Sequence, residues 1–257
     1  MRLKLLPLAA TVLVALLPAP AFAHLKAGQV FVVDNGAFAD GGVISANPAT
    51  GKETKVAAND LAVNASSQFF HNLYGIALAP SGKLVLVDNT GFDGNGGVIG
   101  VNPANGKETK VSANDMAVNA SNQLFSSPSA IVVQPSGRIL VTDFSAFISS
   151  TGGVIAVNPK NGAESTFSSN ALAVNAASQY FLEPISIALS PTGRIYVLDQ
   201  KAFGGSGGVI SVNPATGRET KVAANNMAVN ASSQFFDSPY GVEVVPPPPS
   251  TDRKSVV

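Results

Sequence analysis

The sequence contains four near-copies of one phrase, and their spacing restricts the possible fold more than any other feature. The copies read GGVISANP, GGVIGVNP, GGVIAVNP and GGVISVNP, and their second glycines are Gly42, Gly97, Gly153 and Gly208, at steps of 55, 56 and 55 residues. A fixed period of this size, carried by strand-like runs and Gly/Pro turns, is typical of repeat architectures. In such folds each unit buries its apolar face against its neighbours.

The first 23 residues have the pattern of a secretory signal peptide. Basic Arg2 and Lys4 precede an apolar stretch, and Ala21-Phe22-Ala23 supplies a small-residue cleavage site. We therefore expect cleavage after Ala23 and a secreted or periplasmic protein. The alternative is an uncleaved anchor, but the apolar stretch contains prolines and is short for a membrane span. No further hydrophobic segment suggests a membrane span in the mature chain.

The composition favours an all-β body. Charged residues make up 12% of the chain, with 16 basic and 16 acidic side chains, whereas there are 24 glycines and 17 prolines. This balance is expected where many short strands are joined by tight turns. Nucleic acid is not an expected partner, because there is no basic stripe and no aromatic stacking platform. The chain has no cysteine, which excludes disulfides and thiol chemistry.

Each unit divides into four strand-like segments. The first is short, mostly apolar and closed by proline, as in YGIALAP at 74–80, SAIVVQP at 129–135, ISIALSP at 185–191 and YGVEVVP at 240–246. The second ends in aspartate, and the third is the GGVI segment, which stops at Asn-Pro. The fourth, for example KETKV at 52–56, is polar and suits an outer edge, where lysine discourages pairing with other chains. A sheet that runs from an apolar inner strand to a polar outer strand is a propeller blade.

The strand count predicts how the chain closes. The N-terminal unit supplies only its last three strands (29–56), three complete sets follow, and an isolated first strand lies at 240–246. We expect this C-terminal strand to complete the first sheet. The result is an all-β, four-bladed β-propeller of four-stranded antiparallel blades over residues 24–246, a monomer, with a Pro-rich disordered tail at 247–257. The alternative is an open solenoid, or a half-ring that dimerises into a larger propeller.

A linker of about a dozen residues follows the fourth strand of each unit. Its first copy is NDLAVNASSQFF from Asn59. The periodicity leaves open whether the linker forms a short extra strand or a helical turn. Its apolar side chains are expected to pack between blades, and the first of them in each copy are Leu61, Met116, Leu172 and Met227.

These motifs resemble the blades of NHL-type and gluconolactonase-like (senescence marker protein) β-propellers. The resemblance rests on the Pro-Ser-Gly-Lys turn, the strand that ends in aspartate and the phrase GGVI-x-V-Asn-Pro-x-x-Gly, over residues 28–246. For the enzymes of that group it implies a divalent metal at one mouth of the channel, which activates a lactone for hydrolysis. Those enzymes usually have six blades, so four is a departure. At the slots that match their metal-binding glutamate only Asp237 could ligate directly, and Glu183 lies one place off the pattern.

The repeated aspartates are the more regular polar set. They end the second strands and recur at steps of 54, 55 and 56 residues, as Asp34, Asp88, Asp143 and Asp199. In a closed ring they would lie at one level around the axis, where carboxylates could hold a hard cation such as calcium. The alternative is structural, because an aspartate that ends a strand can accept hydrogen bonds from backbone amides of the next turn.

The loops after these aspartates differ most between copies, and functional residues concentrate on loops. A phenylalanine lies in each loop, and we expect the four to form a contact surface: Phe38, Phe92, Phe147 and Phe203. We interpret the protein as an exported binding or interaction scaffold for an unknown protein or small-molecule ligand. The alternative is a metal-dependent, gluconolactonase-like hydrolase of lactones or related esters. The residues leave open whether the chain is an enzyme, since no Gly-x-Ser-x-Gly, His-Glu-x-x-His or phosphate-binding motif occurs.

Overall fold

The computed structural model describes residues 25–26, 28–147 and 151–245. The predicted signal peptide (1–23) and the tail at 247–257 lie outside these residues. The strands are β1 (Val30–Asp34), β2 (Gly42–Ala46), β3 (Glu53–Ala58), β4 (Leu73–Leu78), β5 (Leu84–Asp88), β6 (Gly97–Val101), β7 (Glu108–Ala113), β8 (Pro128–Val133), β9 (Ile139–Asp143), β10 (Gly153–Val157), β11 (Glu164–Ser169), β12 (Pro184–Leu189), β13 (Ile195–Asp199), β14 (Gly208–Val212) and β15 (Glu219–Ala224). No helix among the described residues is long and apolar enough to cross a membrane.

The strands form four antiparallel sheets, each built from strands that follow one another in sequence. The first sheet is β1-β2-β3, the second β4-β5-β6-β7, the third β8-β9-β10-β11 and the fourth β12-β13-β14-β15. The polar segment is the outermost strand of every sheet, as expected from the lysines that it carries in three of them. The prediction of an all-β chain with four propeller blades is therefore confirmed.

Tight turns set the register within each blade. Between β4 and β5, Ala79 N donates to Lys83 O at 2.9 Å, and Gly82 has a φ of +78°. Because a side chain rarely adopts this conformation, glycine is required there. The register shifts by one residue between the third and the outer strand of every sheet, for example between Val98 and Ile99. Such bulges increase the local twist of a strand.

The hydrophobic core lies between the blades. Three buried clusters fill the three junctions between successive sheets. The isoleucine of the GGVI phrase is fully buried in the last three sheets, at Ile99, Ile155 and Ile210. Apolar burial of this kind stabilises a chain by roughly 25 cal/mol per Å². The inner strands β4, β8 and β12 pack side by side, so the sheets succeed one another around a common side.

The prediction that the C-terminal strand closes the first blade is wrong for the described residues. The first sheet has three strands, and residues 239–245 carry no strand. Instead Val242 N donates to Ser186 Oγ of β12 at 3.3 Å. The segment thus extends the series beyond the fourth sheet. No extensive contact joins the described strands of the first sheet to those of the fourth, so the four blades form an open arc.

The linker contains a single 3₁₀ turn, which answers the question that its periodicity left open. The turns are Ala62–Asn64, Ala117–Asn119, Ala173–Asn175 and Ala228–Asn230. The linker packs against the next sheet, as expected: a Cβ built on Gly106 would lie 2.6 Å from Leu61 Cδ1 and 2.3 Å from Val56 O. Glycine at this turn is therefore required by the close approach of the preceding blade.

Candidate functional site

The repeated aspartates accept backbone hydrogen bonds. Asp88 is fully buried at the end of β5. Its Oδ2 accepts from His71 N at 2.7 Å and Asn72 N at 2.9 Å. Its Oδ1 accepts from Thr90 N at 3.0 Å and Gly91 N at 2.6 Å. The carboxylate therefore joins the start of the inner strand to the loop after the second strand.

Asp143 and Asp199 repeat this arrangement in the next two sheets. Asp143 accepts from the backbone amides of residues 126, 127, 145 and 146, and Asp199 from those of residues 182, 183, 201 and 202. Burial raises the pKa of both carboxyls, and the backbone donors oppose this rise. Four N–H donors occupy each carboxylate, so the side chain acts as a structural bracket.

The donor set does not fit a cation. A hard ion needs several free oxygen ligands, whereas the oxygens of Asp88, Asp143 and Asp199 already accept backbone donors. Asp34 and Asp237 are exposed, and Glu183 pairs with Lys201. Within the described parts of the chain, no three His, Asp or Glu side chains come together as a metal site.

The loop phenylalanines fold back onto their own sheets. Phe38, Phe92, Phe147 and Phe203 are half-buried, and all have positive φ, between 55° and 68°. A Cβ built on Gly97 would lie 2.8 Å from Phe92 Cδ2, so the second glycine of the repeated phrase makes room for the ring. The positive φ is a strained conformation for a side chain of this size. Part of each ring is therefore buried against its own sheet, and only the remainder is free for the contact surface predicted at these residues.

Lysines of the outer strands cover three of these rings. Lys55 Nζ lies 4.1 Å from the centroid of Phe38, and Lys110 Nζ and Lys221 Nζ each lie 4.6 Å from the rings of Phe92 and Phe203, respectively. Cation–π contacts at such distances contribute about 0.5–1 kcal/mol at exposed sites. The lysine of the outer strand and the loop phenylalanine therefore contact each other in three of the four sheets.

Sequence reasoning missed a buried network between blades. Asn64 in the first linker donates through Nδ2 to Glu108 Oε1 at 2.7 Å, and Glu108 N donates to Asn64 Oδ1 at 2.9 Å. Glu108 Oε2 accepts from Phe69 N at 3.0 Å. Both side chains are almost completely buried. The sequence carries a signal of this network, since the same asparagine and glutamate recur in every unit, but a polar strand at the edge of a sheet is expected to be exposed.

The network repeats at the next two junctions, with Asn119 and Glu164 and then with Asn175 and Glu219. Burial raises the pKa of Glu108, Glu164 and Glu219, and that of Glu219 reaches about 7. The cause is desolvation, because no described cation pairs with these buried carboxylates to offset the loss of water. These acids connect the blades, and Glu164 also contributes to the lining of an open cavity of about 490 Å³ on the third sheet.

Several open cavities lie at the end of the strands opposite the aspartates, and one of them lies between the second and third sheets. A groove of about 350 Å³ is lined there by Pro80, Lys83, Val85, Val111, Ile139 and Lys160, among others. We call it the proline-turn groove. Val85 and Ile139 are buried and form an apolar floor, whereas Lys83 and Lys160 are exposed.

The groove continues onto the inner strands. An adjoining depression of about 380 Å³ is lined by Leu78, Pro80, Val133, Pro135 and Leu189, among others. Neither Lys83 nor Lys160 forms an ion pair with any described residue. The two ammonium groups are therefore available to a ligand. Apolar walls with a few polar groups are the usual composition of a ligand site.

No family model matches the sequence, and no curated protein matches it. Solved structures match the fold. A protein of unknown function from Bacteroides thetaiotaomicron is 16% identical, with a TM-score of 0.55 over 79% of this chain and 48% of that one. A gluconolactonase from Xanthomonas campestris is 15% identical, with a TM-score of 0.51 over 79% and 59%. TolB from Acinetobacter baumannii is 12% identical, with a TM-score of 0.50 over 76% and 40%.

These structures share the fold with this chain, and the similarity to gluconolactonase-like proteins is shown at that level. The chain spans about half of the length of the proteins it matches. A fold of this kind supports many unrelated activities, so function has to be argued from the site.

Proposed function

We propose that the protein is an exported binding scaffold and that its ligand site is the proline-turn groove. The observation that carries the proposal is the pairing of a buried apolar floor, at Val85 and Ile139, with two exposed ammonium groups that lack an internal partner. A ligand that fits has an apolar body and an anionic group such as a carboxylate. The groove is large enough for a small molecule or for a few side chains of a peptide.

The acidic side chains favour binding over hydrolysis. General acid–base chemistry at neutral pH is usually carried by a histidine, aspartate or glutamate within reach of the substrate. The buried aspartates and glutamates are occupied by backbone and asparagine donors, and the proline-turn groove is lined by no histidine, aspartate or glutamate. Lactone hydrolysis is the alternative interpretation of the sequence. Its only structural support is the fold that this chain shares with a gluconolactonase.

The experiment is a titration of the purified protein with octanoate, with octanol as a neutral probe of the same chain length. We expect saturable binding of octanoate, weaker binding of octanol, and at least a tenfold loss of octanoate affinity in the Lys83→Ala/Lys160→Ala double variant. Lys52→Ala/Lys107→Ala is the matched control, because it removes two lysines outside the groove.

The same preparation is assayed for hydrolysis of gluconolactone with added calcium and with a chelator. Turnover that is abolished by the chelator would overturn the scaffold proposal in favour of the hydrolase. Octanoate binding that is unchanged in the groove variant would show that the site is elsewhere.

A further inference from the structure

The first sheet lacks its inner strand in the described structure. Val30 and Val32 of β1 are 45% and 44% exposed, whereas the equivalent Leu84 and Leu86 of the second sheet are 1% and 0% exposed. In the second sheet β4 lies alongside these positions. Apolar side chains on an unpaired strand are a ready template for pairing with another strand.

Asp34 lacks the hydrogen bonds that an inner strand provides in the other sheets. Its Oδ1 accepts from Gly36 N at 2.8 Å and Ala37 N at 3.0 Å, as in the other sheets. In the equivalent Asp88 the second oxygen accepts from the two residues that precede the inner strand. No described donor reaches the second oxygen of Asp34. The carboxylate of Asp34 therefore makes only the hydrogen bonds to the loop after it. The backbone donors for its second oxygen would come from the residues that precede an inner strand.

The outer part of the first sheet is also uncovered. Glu53 is exposed, whereas its equivalent Glu108 is buried against Asn64 of the preceding linker. A Cβ built on Gly51 meets nothing within 4 Å, whereas one built on the equivalent Gly106 meets the preceding blade. The first sheet thus presents, unused, the whole face that the later sheets use to contact their predecessor.

The far end of the arc carries the matching parts. Residues 239–245 align with the inner strands, and Tyr240 and Val245 are 79% and 87% exposed. Asn230 Nδ2 donates only to Ala224 O, at 2.8 Å, whereas Asn64 reaches both its own sheet and the next one. The last linker and the last segment therefore lack the sheet that every earlier linker contacts.

We propose that a second copy of this chain supplies that sheet. Residues 239–245 of one copy pair with β1 of the second copy as its inner strand, and Asn230 of the first copy binds Glu53 of the second. The register of β4 on β5 places Val242 opposite Val32 of the second copy. The amides of residues 237 and 238 then reach the free oxygen of Asp34 in the second copy.

In a dimer with a two-fold axis, β1 of each copy gains an inner strand and residues 239–245 of each copy gain a sheet to join. Head-to-tail contacts generate a ring when the rotation closes, and two arcs of four blades make a ring of eight, within the usual range for propellers. In the structure the two ends of a single arc do not meet, since no described strand pairs with the free edge of β1. This assembly replaces the monomer expected from the sequence and does not depend on the proline-turn groove.

The test uses engineered cysteines, which is straightforward because the chain has none. Two differently tagged full-length chains, one carrying Val32→Cys and the other Val242→Cys, are co-expressed, purified and oxidised. Opposed residues of paired strands lie close enough for a disulfide. We expect a covalent heterodimer of the two tags on a non-reducing gel. Val118→Cys, at an exposed residue of an internal linker, replaces Val242→Cys in the control, which should not cross-link.

A double variant with both Val32→Cys and Val242→Cys in one chain separates the two ways of closing the arc. A disulfide-linked species of twice the chain mass supports the proposal. A species of single mass with an internal disulfide would overturn it, because the chain would then close on itself as a four-bladed ring. Absence of any cross-link, with the fold intact by circular dichroism, would also overturn it.

Light scattering on the unmodified protein gives a second, independent readout. We expect twice the mass of the chain at micromolar concentration, and a dissociation constant raised about tenfold by Asn230→Ala and by Glu53→Ala. Leu182→Ala is the control, because this exposed residue lies outside the proposed interface. A monomer at all concentrations would contradict the proposal, and a ladder of larger species would contradict the two-chain ring.

Discussion

Asn175 and Glu219 hold each other through two reciprocal hydrogen bonds across the junction between the third and fourth sheets. Asn175 Nδ2 donates to Glu219 Oε1 at 2.8 Å, and Glu219 N donates to Asn175 Oδ1 at 2.9 Å. Asn175 Nδ2 also donates to Ser169 O and Gly217 O, at 3.0 and 3.1 Å. One side chain thus satisfies backbone groups of two blades and a buried acid.

We expect Asn175→Ala to lower the free energy of unfolding by about 3 kcal/mol. The substitution leaves the buried Glu219 and two carbonyl groups without their donor, and an unsatisfied buried group costs about 1–3 kcal/mol. Urea denaturation followed by circular dichroism measures the change. The matched control is Asn226→Ala, because Asn226 is exposed and substitutions at such sites usually change stability by about 0.5 kcal/mol or less. Equal effects of the two substitutions would contradict the role given to Asn175.

The raised pKa of Glu219 predicts that stability depends on pH. The pKa is about 7 in the folded chain and 4.5 as the ordinary value, so the folded state binds the proton more tightly. The stabilisation is complete below about pH 4.5 and is lost as pH rises through about 7. Glu108, Glu164, Asp143 and Asp199 act in the same direction, because burial raises their pKa values as well.

Urea midpoints measured between pH 5 and 8 test this prediction. They should fall as pH rises, and Glu219→Gln should make the fall shallower because it removes one of the titrating groups. Glu183→Gln removes a carboxyl that pairs with Lys201 near the surface and should leave most of the slope in place. An unchanged slope in Glu219→Gln would show that another group is responsible.

The backbone brackets predict the effect of changing Asp143. We expect Asp143→Asn to destabilise the protein by about 2 kcal/mol, since an amide nitrogen would face N–H donors that the carboxylate now accepts. Asp93→Asn, at an exposed loop residue, should change stability little. Thermal melting with and without 1 mM calcium completes the experiment. A calcium-dependent rise in Tm that is lost in Asp143→Asn would contradict the structural role of this carboxylate.

Steric contacts predict the effect of adding one methyl group at Gly97. A Cβ there would lie 2.5 Å from Ser112 O and 2.8 Å from Phe92 Cδ2, so either the sheet or the ring has to move. We expect Gly97→Ala to cost more than 2 kcal/mol, in the range of overpacked cores. Gly36→Ala is the control, because the nearest atom to its Cβ is 3.5 Å away, and it should be nearly neutral in thermal melting.

The repeat period and the turn residues were sufficient to predict the blades. The proline turns, the aspartate that ends each second strand and the polar KETKV segment placed the four strands in their correct order, because each reflects a local preference of the backbone. The hydrogen bonds that each aspartate accepts from the loop after it also follow from a local rule, since Asx turns need only neighbouring amides. Those from the residues before the inner strand, 16 and 17 positions away in Asp88, do not.

The contacts between blades were harder to predict. The partner of Asn64 is Glu108, 44 residues away, and a polar strand gives no local sign that its first residue is buried by the preceding linker. The prediction that the C-terminal strand closes the first blade was wrong for the same reason. Equivalence in sequence predicts an inner strand at residues 240–246, but the sheet that such a strand would join depends on how the rotation between blades accumulates.

The three equivalent asparagine–glutamate junctions mean that each blade meets its neighbours through the same small set of contacts. Removing one whole 55-residue unit, or inserting another, would leave every remaining junction chemically intact. The number of units in such a chain can therefore change by recombination between equivalent positions of the repeats. The length of the arc would then change, whereas the stability of each blade would not.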